Sequence, residues 1–230
     1  DISHELSPQN VLEGAYTLWR AARFFPAGTV HIAVVDPGVG TARRAMAARL
    51  GGMYYVGPDN GLFTPLIEEA RQANEETVFV ALDNPEYHLQ SVSRTFHGRD
   101  IFAPVGAHLA AGVPLEELGT QFNDPVLLRL PQPEKIDGGY RAHVTVIDAF
   151  GNLATDLPVS AVAGRQLLIR IKGREIRGLS PSYGHHQPGE LIALGDSENF
   201  LEIAVVNGSA ARQLDARVGD SLEVQLVDAN

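Results

Sequence analysis

The sequence predicts an α/β domain with a mostly parallel sheet, followed by an all-β domain. Three observations lead there. Apolar strand-like runs alternate with helical periodicity up to about residue 120, and such alternation places helices against a parallel sheet. Residues 130–139, LPQPEKIDGG, then concentrate proline and glycine and read as a linker. Beyond them come only short β-like runs, RAHVTVID, QLLIRI, ELIAL, FLEIAVV and SLEVQLV, separated by turn residues. That texture suits a small barrel or sandwich. The expected boundaries are 1–130 for the α/β domain, 131–138 for the linker and 139–230 for the β domain.

Taken in order, Ser7-Pro8 reads as a helix start, with serine as N-cap and proline at the first helical position. Val11, Ala15, Leu18 and Ala22 then recur at helical spacing, and Phe25-Pro26-Ala27-Gly28 stops the helix. Residues 29–35, TVHIAVV, are β-branched and short, a buried strand. Residues 53–56 and 77–82 read as further strands, and between them Thr64-Pro65 caps a helix reaching about Asn74. Another helix is expected from 100 to 111, with Pro104 in its first turn and Gly112 as its stop.

Composition narrows the function. The chain has 230 residues, 44% of them hydrophobic and 20% charged, enough apolar material for a folded core. A formal charge of -10 without any Lys/Arg run disfavours a nucleic-acid partner. The absence of cysteine removes disulfides, thiolate nucleophiles and cysteine-type zinc sites together. No apolar stretch approaches the ~20 residues of a membrane-spanning helix. No leader pattern stands at the start, so cytoplasm is the default expectation. The opening Asp1-Ile2-Ser3-His4 lacks an initiator methionine, which reads as a trimmed chain.

Four stretches could carry chemistry. VVDPGVGTARR, residues 34–44, lies where a strand hands over to a loop, the usual place for ligands in α/β sheets. It fails as a phosphate cradle, because Arg43 stands where the last glycine of G-x-G-x-x-G belongs. Alone it reads as a Pro-Gly turn with surface arginines. A second polar cluster, Thr95-Phe96-His97-Gly98-Arg99-Asp100, also precedes a helix and could converge with the first. The third, Asp148-Ala149-Phe150-Gly151-Asn152, reads alone as a strand-closing turn, and the fourth, residues 196–204, as a hairpin. His185-His186 lacks a carboxylate at ligand spacing and reads as a solvated turn. Glu116-Glu117 reads as a solvated helix face, His108 as partly buried, and Trp19 as core.

Together these stretches resemble the S-adenosylmethionine hydroxide adenosyltransferases, the adenosine-forming S-adenosylmethionine hydrolases related to fluorinating and chlorinating enzymes. The resemblance runs through ISHELSPQNV, FFPAGTVHIAVVDPGVGTARR, VGPDNGLFT, TFHGRDIFAPVGAHLAAGVPLEELG, DAFGN and FLEIAVVNGSAA, in that order along nearly the whole chain. It implies an α/β domain followed by a β-barrel, and a homotrimer whose substrate lies between the first domain of one subunit and the second of its neighbour. It implies no metal and no cofactor, with S-adenosylmethionine as the substrate. An Asp-Arg-His set falls on Asp36, Arg43 and His97.

The halogenating branch has Tyr where Asp36 stands and Ser where Gly98 stands, so this chain looks like the hydrolase branch, with Phe96 and Gly98 beside the substrate. Asp148 and Asn152 match positions that hold the amino-acid end, with Phe150 alongside. Ser197 and the segment from Val205 to Asn207 match the adenine-binding part, with Phe200 and Glu202 near by. Gln9 occupies a place where halogenating relatives carry a substrate-packing Trp. The resemblance further implies a preceding strand with a TDFG-type motif and a following helix, which this chain lacks, and truncation is the expected reason. His97 is expected to accept the water's proton or hold the hydroxide, Asp36 to aim the water and stabilise positive charge on that histidine or on the substrate, and Arg43 to keep Asp36 ionised. The alternatives are a non-catalytic S-adenosylmethionine or adenosine binder, an S-adenosylmethionine-dependent halogenase, and a metal-dependent hydrolase.

Overall fold

The computed structural model describes residues 1–227. The chain divides into two compact units, Asp1–Leu130 and Pro131–Asn230. The first contains α1 (Val11–Ala22), β1 (Val30–Ile32), β2 (Ala45–Leu50), β3 (Met53–Pro58), α2 (Thr64–Gln72), β4 (Thr77–Ala81), α3 (Ala103–Ala110) and β5 (Gln121–Phe122). Its sheet has the order β1-β3-β2-β4-β5.

Only β1 and β3 pair in parallel, so the sheet is mixed and the expectation of a mostly parallel sheet is corrected. The cause is β2, which sequence reading passed over. Ala45, Ala47 and Ala48 dilute its β-branched content and hide it from a propensity argument. Gly51-Gly52 then joins it to β3 as a tight hairpin, and such a turn leaves no room for a crossover to a parallel neighbour.

Alternation along β2 feeds both faces of the sheet. Met46, Ala48 and Leu50 pack with Ala15 and Leu18 of α1 and Leu66 and Ile67 of α2. Ala47 packs on the other side with Val56, Val80 and the residues Phe102, Val105 and Leu109. A strand buried on both faces is what a three-layer arrangement needs.

The helix ends differ from expectation for local reasons. Gln9 sits at φ 66°, which ends any helix begun at Pro8. The N-cap is therefore Asn10, whose Oδ1 accepts from the Glu13 backbone N–H at 3.1 Å. Glu13 reaches back to the Ser7 N–H at 3.2 Å, a reciprocal cap at the entry of α1. Thr64 does not cap α2; its hydroxyl donates to the Gly61 carbonyl at 2.7 Å. Residues Gly98–Phe102 form a π-helical turn before α3, where a single helix from 100 was expected.

The second unit contains β6 (Glu134–Ile136), β7 (Gly139–Ile147), β8 (Leu153–Pro158), β9 (Gln166–Ile171), β10 (Arg174–Arg177), β11 (Leu191–Gly195), β12 (Phe200–Val205), α4 (Ala210–Leu214) and β13 (Ser221–Val227). The strands run antiparallel in the order β10-β9-β13-β7-β8-β12-β11, a near-barrel, with β6 added beside β7. β6 lies inside the segment read as a linker. The long β7 changes partner midway, pairing with β13 over its first half and with β8 over its second. A bulge between Val144 and Val146 bends it there. Leu153, Leu157, Ile169, Leu201, Ile203 and Val224 fill the interior.

Two tests follow from the first unit. A Cβ at Gly57 would lie 2.2 Å from the Ala33 carbonyl oxygen and 2.9 Å from the Phe63 ring. Gly57→Ala must therefore push β1 from β3, at an expected cost of about 1–3 kcal/mol in urea unfolding. His31 is 5% exposed, stacked on Tyr55 and met edge-on by Phe25. Burial pulls its pKa below the ordinary 6.5. As pH falls below that value the unfolded chain binds the extra proton first, so stability is lost on the acid side. His31→Phe should show a shallower fall in Tm between about pH 7 and about pH 5.

Candidate active site

The stretch that opens the first site leaves β1 and turns at once. The Val39 N–H donates to the Asp36 carbonyl at 3.3 Å and the Thr41 N–H to the Gly38 carbonyl at 3.1 Å. Thr41 Oγ1 donates to the same Gly38 carbonyl at 2.7 Å and accepts from the Arg43 N–H at 3.3 Å. These bonds curl the loop so that Arg43 folds back over Asp36. Gly40, at φ 78°, lets this loop meet the one that carries His97; a Cβ there would stand 2.5 Å from the Arg94 carbonyl oxygen.

The three side chains converge. Arg43 Nε donates to Asp36 Oδ1 at 3.0 Å and Oδ2 at 3.1 Å, and its Nη2 closes a short ion pair with Oδ2. The same Nη2 lies 2.8 Å from His97 Nδ1. A guanidinium has only donors, so Nδ1 accepts. A neutral imidazole bonded this way carries its hydrogen on Nε2. The Arg43 and Asp36 side chains are only 9% and 6% exposed, and the guanidinium lies 5.3 Å from the centroid of the buried Phe102 ring.

Asp36 and His97 line one cavity of about 260 Å³ together with Val34, Val39, Phe96 and Gly98. At Gly98 an added Cβ would touch only the Val34 side chain, at 3.9 Å, so a larger residue has room. Phe96 is exposed and carries Arg99 over its ring at 4.9 Å. Gln9 and Asp36 share a second cavity of about 310 Å³. Sequence reasoning missed His88, which is half-buried with an unpartnered Nε2. Burial and then the nearby His97 hold its pKa below the ordinary value. Nothing in the surrounding Tyr87-His88-Leu89 signals that burial.

In the second unit Asp148 closes β7. Its Oδ1 accepts from the Phe150 N–H at 2.9 Å and the Asn152 N–H at 2.8 Å, and its Oδ2 from Asn152 Nδ2 at 2.9 Å. Asn152 Nδ2 also reaches the Tyr183 hydroxyl at 3.3 Å, which donates to Glu202 Oε1 at 2.7 Å. Tyr183 was missed because its neighbours are turn residues and only the adjacent histidines drew notice. Burial first, then the hydrogen bond to Glu202, pushes its pKa well above the usual phenol range. Phe150 stands 77% exposed beside this network.

Because β12 runs antiparallel to β8, its Val205 end lies by the Asp148–Asn152 turn and its Phe200 end by Pro158. Asn207 follows the near end, exposed at φ 51°, while Ser197 is exposed before the far end. The Val205 side chain packs in the barrel interior. Among the described residues no group of three or more His, Cys, Asp or Glu is arranged to hold a metal ion.

Comparison with known proteins adds the following. Residues 1–119 match the family described as SAM hydroxide adenosyltransferase N-terminal domain, and residues 142–223 match its C-terminal domain. A relative from Salinispora tropica named (R)-S-adenosyl-L-methionine hydrolase is 41% identical, over 97% of this chain and 85% of its own length. A fluorinase from Actinopolyspora mzabensis is 28% identical over 97% of this chain and 86% of its own. The crystal structure of an uncharacterized conserved protein from Thermotoga maritima superposes with a TM-score of 0.89 at 35% identity. That match covers 98% of this chain and 88% of the other.

The buried ion pair gives a stability test. Asp36→Ala strands the Arg43 guanidinium and should cost about 3–5 kcal/mol in urea unfolding. Asp36→Ala/Arg43→Met should recover part of that loss. A single variant as stable as the parent would show that the pair is solvated and carries no such constraint.

Proposed function

This chain belongs to the SAM hydroxide adenosyltransferase family, and from that premise we propose that it splits S-adenosyl-L-methionine with water into adenosine and L-methionine. The observation that carries the reading is the Arg43 guanidinium joining the Asp36 carboxylate and the His97 imidazole at one cavity. The related hydrolase's name specifies the (R) form of the substrate, and the same form is proposed here.

The chemistry fits these groups. The sulfonium is already an excellent leaving group, so no acid is needed to protonate it. The difficulty lies in the nucleophile, because water is weak and must shed a proton. Water attacks the ribose C5′, the C5′–S bond breaks with its electron pair going to sulfur, and the proton leaves the attacking oxygen. Charge cancels as the oxygen loses its proton and the sulfonium becomes a neutral thioether, so a poorly solvated site favours the transition state.

Three roles follow. Arg43 holds both partners in place through its bonds to the carboxylate and the ring. His97, neutral with its hydrogen on Nε2, donates to the nucleophilic oxygen and holds it. Asp36 aims the water and receives its proton. Of the two roles the sequence left open for His97, holding the oxygen is the one its hydrogen bond from Arg43 supports.

The amino-acid end is assigned to Asp148 and Asn152 with Phe150, and the adenine to the Ser197, Phe200, Glu202 and Val205–Asn207 region. Gln9, Phe96 and Gly98 complete the assignment around the ribose and the nucleophile. The reading includes a homotrimer with the substrate between subunits, a cytoplasmic setting, and chemistry without metal or cofactor. The exposed rings of Phe96 and Phe150 support the first of these. Among the described residues no helix is long and apolar enough to cross a membrane.

The test is a reaction run in ¹⁸O-labelled water with S-adenosyl-L-methionine as substrate. The expected products are methionine and adenosine labelled at the 5′ oxygen. Asp36→Asn and His97→Ala should each lose about 100-fold or more in kcat. A 5′-halo-adenosine formed in added halide, or tight binding with no turnover, would overturn the hydrolase reading.

A further inference from the structure

The fully buried side chain of Asp100 lies three residues beyond His97, outside the residues that line the cavity. Its Oδ2 accepts from the Ser93 N–H at 2.8 Å, and its carboxylate takes two bonds from Arg99, at 2.6 and 3.2 Å. Its backbone is engaged too. The carbonyl accepts from the Leu89 N–H at 2.9 Å, and the N–H donates to the Phe96 carbonyl at 3.1 Å.

Each partner of the carboxylate acts in turn on Phe96, the residue before His97. Ser93 Oγ accepts from the Phe96 N–H at 3.0 Å, and Arg99 lies over the Phe96 ring. The π-helical turn from Gly98 to Phe102 follows at once, so the imidazole projects from a short segment tied at both ends. π-helical turns often occur at functional sites, where they reset the direction of a side chain.

All three hydrogen bonds to this buried charge come from the loop that presents His97, so the carboxylate orders that loop. On the hydrolase reading above, we propose that Asp100 is a positioning residue that fixes the His97 imidazole against Arg43, acting through Ser93, Arg99 and Phe96 without touching substrate. Arg99 first, then the Ser93 N–H, holds the Asp100 carboxyl far below the usual carboxylate range, so the clamp stays ionised across the working pH.

The test compares Asp100→Asn with the parent in kinetics and in ¹⁵N-histidine NMR. The expected result is a kcat lowered about tenfold or more, with KM changed less than about twofold. On a His97→Ala background the same substitution should have almost no further effect, because both act through one imidazole. The NMR needs no turnover: in the parent the His97 ring should hold the hydrogen on Nε2, and in Asp100→Asn it should exchange between tautomers. A parent-like kcat, an effect that adds in full to His97→Ala, or an unchanged ring spectrum would overturn the proposal. Should Asp100→Asn fail to fold, Arg99→Gln, at an exposed side chain, is judged by the same readouts. A parent that leaves S-adenosyl-L-methionine intact would sink the hydrolase reading alone, and the ring spectrum would still decide the role of Asp100.

Discussion

One guanidinium holds the first site together. Arg43 bonds the Asp36 carboxylate through Nε and Nη2 and the His97 Nδ1 through the same Nη2. The fork explains why arginine is needed here, since a lysine ammonium cannot span two oxygens and a ring nitrogen in one plane. It also sets the state of the imidazole. A cation that only donates compels Nδ1 to accept, so the protein fixes a tautomer without a second carboxylate behind the ring. Remove the guanidinium and the carboxylate loses its counter-charge while the ring loses its direction.

The fork works only if two loops, 54 residues apart at Arg43 and His97, are held in register. On the Asp36 side, Asn60 donates to the Val35 carbonyl at 2.8 Å, one residue before the carboxylate. Next to it Arg44 pairs with buried Asp59 at 2.8 Å and lies over Phe122 at 4.1 Å. Asp59 also accepts from the Val126 N–H at 2.8 Å. These contacts fix the ends of β2 and β3, and with them both ends of the Asp36 loop. The other loop has no strand to lean on, which is why its own buried carboxylate matters.

How far the sequence discloses this depends on what each feature rests on. Asp36, Arg43 and His97 stand in short polar clusters at the ends of apolar runs, and strand ends are where α/β proteins bind ligands. β1, β3, β4 and the five runs of the second unit show as apolar blocks. β2 does not, because its alanines are chosen to let helices approach both faces, a demand of packing and not of strand propensity. The first cap was misplaced for a similar reason. Ser7-Pro8 is good local chemistry, but the left-handed turn at Gln9 overrides it. Tyr183 was hidden because its partners are distant in the chain, whereas Asp100 stood in a visible polar cluster that gave no sign of its burial. The Asx turn at Asp148 was visible; the phenol that links it to Glu202 was not.

The charge of the cluster also bears on which nucleophile it suits. A halide about 4 Å from the Asp36 carboxylate would meet a repulsion of about 4 kcal/mol at an effective dielectric constant of about 20. Arg43 offsets much of that, but its two best donor directions are already filled by the carboxylate and the ring. What a halide would face is therefore a nearly neutral pair whose Nε and Nη2 donors are already given to the carboxylate and the ring, after losing its own hydration shell. Water has no net charge to strip or repel, and it can both accept from the His97 Nε2–H and donate to Asp36. A tyrosine at position 36 would remove the proton acceptor and the repulsion at once, and Arg43 would then be free to attract an anion. On the proposed mechanism the carboxylate at position 36 is the group that separates water from halide, through charge and hydrogen-bond polarity more than through the size of the cavity.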